Sequence, residues 1–122
     1  MTEDVFAAKV AQVRQRFIST LDGKIAETCA ALPKLGDATA PDTATAAVAD
    51  AYRCIHGIVG IGRTVGFPAI GSAAHDVEDV LRPPYNAGRP LTAGEISNLK
   101  NTLQTLRMVA ARELQPFHSP SQ

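Results

Sequence analysis

The sequence predicts an all-α fold, an antiparallel four-helix bundle. All eight prolines (Pro33, Pro41, Pro68, Pro83, Pro84, Pro90, Pro116, Pro120) stand where a helix could begin or end, leaving proline-free stretches at roughly 3–32, 43–66, 68–82 and 93–115. Proline inside a helix costs about 3 kcal/mol, so helices run between these points. Each stretch repeats apolar residues at spacings of three and four. No segment alternates with period two, and alanine is abundant, which argues against strands.

The first stretch sets Val10, Val13, Phe17, Leu21, Ile25, Thr28 and Leu32 along one face. Thr2 is its expected N-cap, Glu3 and Asp4 suit the positive end of the helix dipole, and Gly23 is where it would kink. The second carries a core stripe of Ala47, Ala51, Cys54, Ile55, Ile58, Gly62 and Val65, closed by Gly66 as a C-cap. The third repeats Ile70, Ala73, Ala74, Val77 and Leu81. The fourth repeats Ile96, Leu99, Leu103, Leu106, Ala110 and Leu114, opened by the capping box Thr92-x-x-Glu95. Fairly short connections make successive helices antiparallel neighbours. Residues 1–117 form one domain. Pro116 to Gln122 read as a frayed end, with 118–122 a flexible tail.

A chain of 122 residues supports one core. Twelve basic residues balance twelve acidic ones, which gives no reason to expect nucleic acid or an anionic membrane as partner. No apolar run approaches the ~20 residues of a bilayer span, and the acidic start Met1-Thr-Glu-Asp is unlike a secretory signal. Cys29 and Cys54 have neither metal-ligand nor disulfide-framework spacing and read as structural thiols. The expectation is a cytoplasmic monomer.

The second helix departs from good helix design. Its run Arg53-Cys-Ile-His56-Gly-Ile-Val-Gly60-Ile-Gly-Arg63-Thr-Val-Gly66 holds three interior glycines, each costing about 0.8–1.0 kcal/mol relative to alanine. At 100° per residue His56 falls opposite the core stripe, in solvent, with Gly60 one turn on. Gly62 falls on the stripe, where it allows close helix approach. Arg53 and Arg63 frame the ring. An imidazole attacks phosphorus only when neutral, a form that nearby cations favour, and the same arginines would hold an incoming phosphoryl group. Phosphoryl transfer depends on positioning and charge stabilisation, so an accessible ring on a stiff helix is a reasonable half-site. The other half must come from a partner, because the chain has no GxxxxGK[ST] nucleotide loop.

The run His56-Gly-Ile-Val-Gly60-x5-Gly66, the turn Gly66-Phe67-Pro68 and the segment Val77-Glu78-Asp79-x-Leu81 resemble the histidine-containing phosphotransfer (HPt) domains. The resemblance implies a four-helix bundle whose histidine takes a phosphoryl group from a sensor histidine kinase or a receiver-domain aspartate and passes it on. By position His56 is the phosphoacceptor, with Nε2 the expected nitrogen, and Gly60 leaves space for the receiver. Ala49, Gly57, Gly60 and Thr64, with Arg53 and Arg63, would form the docking surface. The chain would need no cofactor of its own, since Mg²⁺ belongs to the partner response-regulator receiver domain. It would be a carrier more than a turnover enzyme. Many family members have a lysine or arginine three residues after the histidine; here that residue is Val59. Its loss supports a rival reading, a docking or adaptor module that uses the same face without being phosphorylated. A purely structural bundle leaves the exposed Gly60 unexplained.

Other polar residues carry less. His75, Asp76, Glu78 and Asp79 read as a solvated face of the third helix rather than a metal site, since no matching ligand pair exists on another helix. His118 reads as incidental, and Asp50 lies on a different face from His56. Tyr52, one turn before His56, is placed either at the border of the docking surface or against the first or third helix.

Overall fold

The structure is a computed structural model and describes residues 2–118, without the side chains of Thr2 and His118. Its elements are α1 (Thr2–Ala30), the single turn α2 (Leu32–Leu35), α3 (Pro41–Thr64), α4 (Pro68–Ala87), α5 (Ala93–Glu113) and the single turn α6 (Gln115–His118). The four long helices form the bundle. There is no strand among the described residues, and none of their helices is long and apolar enough to cross a membrane.

α1 runs unbroken through Gly23. Phe17, Leu21, Ile25 and Thr28 are buried as their spacing predicts, with the Thr28 hydroxyl donating to the Lys24 carbonyl. Val13 departs from expectation: it is 44% exposed, and Val5 and Phe6 are more exposed still. Half-buried Arg14 and buried Ile18 take the inward positions of this stretch and turn Val13 outward, while Val5 and Phe6 lie toward the end of a long helix. At 1.5 Å per residue, the 29 residues of α1 span about 43 Å. The Arg14 guanidinium donates to the Val65 carbonyl at 2.9 Å, so the α3–α4 turn lies level with Arg14, and Phe6 lies about two turns beyond it. The cap expected at Thr2 rests on a side chain outside the described set.

α3 ends at a glycine turn. Gly66 has φ +97°, a region closed to most side chains, and Phe67 N–H donates back to the Gly62 carbonyl at 2.7 Å. Pro68 then opens α4, needing no N–H partner at that position. The free N–H groups of Ala69 and Ile70 donate to the carboxylate of Glu113, so the end of α5 caps the start of α4.

Pro83 and Pro84 do not end α4, contrary to the punctuation reading; both lie inside the helix, which continues to Ala87. Three contacts offset the lost backbone bonds. Pro84 is buried, the Tyr85 ring stacks on Tyr52 at 4.1 Å between centroids, and Gly88 (φ 66°) closes the helix with Arg89 N–H donating to the Pro84 carbonyl. The predicted capping box of α5 is present in both directions. Arg89 adds a bidentate ion pair to the same Glu95, and this hydrogen bonding holds the carboxyl at about 2, against an ordinary 4.5.

The core contains every predicted apolar position of α4, and Leu99, Leu103, Leu106, Ala110 and Leu114 at the α5 end. Pro116 and Phe117 are helical rather than frayed. The Phe117 ring stands edge-on to Phe67, which stacks on Phe17. The rest of the predicted tail, residues 119–122, lies outside the described residues.

Candidate functional site

The site lies across the α3–α4 pair, where Gly62 faces Gly71. A Cβ on Gly62 would lie 3.5 Å from the backbone nitrogen of Gly71 and 3.4 Å from the Phe17 ring, ordinary contact distances, whereas a Cβ on Gly71 would come within 2.7 Å of the Arg63 Cγ. The antiparallel register that sets Gly62 against Gly71 brings residues 56 and 78 together two turns further along.

His56 and Glu78 meet there. The imidazole is 67% exposed while the carboxylate is 4% exposed, and Glu78 Oε2 is hydrogen-bonded to His56 Nδ1. The other oxygen, Oε1, lies 3.4 Å from the Arg82 guanidinium, which also pairs with Asp79. Hydrogen bonds to Asp79 and then to Tyr52 push the Arg82 pKa further up. The Tyr52 ring lies nearly parallel to the imidazole, 12° between planes at 5.8 Å, and stacks on Tyr85 behind it. A carboxylate accepts only, so Nδ1 carries the proton in this bond. The lone pair of a neutral ring then resides on Nε2, the nitrogen away from the protein. The arrangement presents one oriented nucleophilic nitrogen to solvent.

The surface beside the ring is bare. A Cβ on Gly57 or Gly60 would meet nothing within 4 Å, and the Thr64 hydroxyl turns back to the Gly60 carbonyl at 2.9 Å. Ala49 is half-buried.

The family model of the Hpt domain matches residues 12–109, most of the chain. The chain belongs to the Hpt family. No curated protein and no solved structure matches it. Membership carries a phosphotransfer role in a phosphorelay, and Hpt domains interact with kinases and receiver domains.

Within this Hpt domain, the residues singled out from sequence divide into two groups. His56, Gly57, Gly60 and Thr64 share the open face of α3. Arg53 reaches Asp50 on its own helix at 3.4 Å, and Arg63 crosses α4, its Cγ occupying space that a Cβ on Gly71 would need. The charged group in contact with the imidazole is therefore Glu78, backed by Arg82, rather than either predicted arginine. Val59 is buried in the core, so the position three after the histidine is an apolar packing position in this chain. Tyr52 packs on α4 and on the histidine ring, meeting parts of both readings made of it.

Glu78 overturns its assignment to a solvated face. It continues the buried stripe of α4 between Ala74 and Leu81, at spacings of four and three, and a carboxylate on such a stripe needs a partner. That spacing was the available signal. His75, Asp76 and Asp79 do lie on the outer side of α4, with ligand atoms within 4.8 Å of one another. Asp79 is already paired with His75 and Arg82. Both cysteines are half-buried and unbridged.

Proposed function

We propose that this Hpt domain carries a phosphoryl group on Nε2 of His56, taking it from a sensor histidine kinase or its receiver domain and passing it to a response-regulator aspartate. The observation that supports this reading is the hydrogen bond from Nδ1 of an exposed imidazole to the buried carboxylate of Glu78. In transfer from a receiver, the Nε2 lone pair forms the N–P bond as the bond from phosphorus to the aspartyl oxygen breaks, and the carboxylate leaves. Glu78 keeps the Nδ1 proton engaged, so positive charge developing on the ring meets a fixed negative one. The receiver supplies Mg²⁺ and the aspartate. Ala49, Gly57, Gly60 and Thr64 form the surface it covers, while Arg53 and Arg63 contribute positive charge at the edges.

The competing reading, docking without phosphorylation, draws on Val59. The two part on His56→Gln. The carrier reading expects this variant to keep its fold and its partner affinity while losing all transfer. Transfer that survives in His56→Gln rejects the assignment of the acceptor.

A further inference from the structure

We propose that Arg82 is a positioning residue for phosphoryl transfer: by supplying the counter-charge of Glu78 it keeps the proton of the His56 ring on Nδ1 and leaves Nε2 free to attack. The inference deepens the carrier reading and rests on it for its use in transfer. Arg82 stands one helical turn after Glu78 on α4, and its guanidinium meets three acceptors. These are Oε1 of Glu78 at 3.4 Å, the carboxylate of Asp79, and Tyr52. An arginine only donates, so the Tyr52 hydroxyl accepts. Two of the three hold the imidazole, Glu78 at its Nδ1 edge and Tyr52 across its face. One guanidinium therefore joins both supports of the ring.

Charge decides where the proton sits. A carboxylate as buried as Glu78 needs a counter-charge to remain an anion. Among the described residues its ion-pair partners are Arg82 and His56 itself. The other charges nearby are paired elsewhere, Arg53 with Asp50 and His75 with Asp79. Arginine is always charged, whereas imidazole is charged only when both nitrogens are protonated. With Arg82 on Oε1, the ring need not be the cation. It stays neutral, donates from Nδ1 to Oε2, and keeps its lone pair outward on Nε2. Without Arg82 the pair draws one more proton from solvent, and Nε2 loses its lone pair wherever that proton settles. On the ring it makes an imidazolium. On Glu78 it makes an O–H that donates to Nδ1, which leaves the ring's own proton on Nε2. Neither state can form the N–P bond.

The test uses the full unphosphorylated chain with nitrogen-15 histidine at neutral pH, reading both ring nitrogens of His56 by NMR. Wild type should show Nδ1 protonated and Nε2 bare. Arg82→Gln removes the charge but keeps a polar side chain, and should move the Nε2 signal toward the protonated form. Its rate of transfer should fall on the order of tenfold, the factor carried by one unit of displaced protonation. That loss should shrink as pH rises, because alkali removes the extra proton. Arg82→Lys restores the charge and should recover the wild-type ring spectrum and most of the rate. Circular dichroism and urea melts establish that both variants are folded. A bare Nε2 in Arg82→Gln, a protonated Nε2 in neutral wild type, or a loss equally deep in Arg82→Lys would overturn the proposal. The spectra need no phosphate, so they decide the role of Arg82 even if the chain accepts none and the carrier reading falls.

Discussion

Glu78 on α4 is hydrogen-bonded to Nδ1 of His56 on α3, joining a buried carboxylate to an exposed imidazole across the helix pair. The bond fixes ring orientation by tertiary structure rather than by the helix that carries the histidine. Tyr52 stacked on the ring and Arg82 against the second carboxylate oxygen complete the support. The solvent-facing edge of the ring is thus anchored to the α3–α4 interface.

Removing that support should lower transfer without removing the nucleophile. Glu78→Ala is expected to slow phosphorylation of His56 on the order of 10²-fold, the scale associated with a misplaced reacting group. Glu78→Gln keeps an acceptor for Nδ1 and should recover most of that loss. Single-turnover labelling of both variants checks this, and equal rates for the two would show that orientation is not what Glu78 provides.

The open glycines make stability and function separable. Alanine at Gly57 or Gly60 meets nothing in the free chain, so each substitution should stabilise the fold by up to about 1 kcal/mol through helix propensity. A larger side chain, as in Gly60→Leu, should leave a folded protein that transfers poorly because the partner loses its approach. Urea melts beside transfer assays on the same preparations read both effects.

Gly66 behaves in the opposite way. Its φ of +97° lies where a side chain is strained, and the turn sets both the end of α3 and the start of α4. Gly66→Ala is expected to cost about 1–3 kcal/mol, measured as a lower urea midpoint with an unchanged m-value.

Acid should weaken the Arg89–Glu95 clasp within a defined window. The folded Glu95 carboxyl titrates at about 2, against 4.5 without Arg89 in the unfolded chain. Because the folded value is depressed, the stabilisation is fully present above about 4.5 and is lost as pH falls toward 2. Glu95→Gln should therefore be less stable than wild type near neutrality, with the gap closing in acid. Denaturant melts of both proteins across that range measure it.

The bundle is legible in the sequence because its signals are local. Spacing on α4 and α5 marks the buried residues, Gly66 marks the turn, and Thr92 with Glu95 marks a helix start. The exposed histidine and its bare glycine neighbours are legible for the same reason, as angles around one helix. What is not local is misread. The partner of Glu78 lies 22 residues away, so alone it looks like one more acid in the His75–Asp79 segment. Pro83 and Pro84 stay helical because Tyr52 on another helix holds Tyr85. Val13 keeps the spacing of a core residue, yet Arg14 and Ile18 take the inward positions beside it. Arg53 and Arg63 sit at plausible spacings, but Asp50 and the gap over Gly71 decide where they point.

The most direct test is the nitrogen-15 NMR spectrum of the histidine rings after phosphorylation by a phosphorylated receiver domain. The account predicts one phosphorus-coupled nitrogen, Nε2 of His56, with Nδ1 still protonated and held by Glu78. Coupling at Nδ1 of His56, coupling at His75 or His118, or no phosphohistidine at all would contradict it.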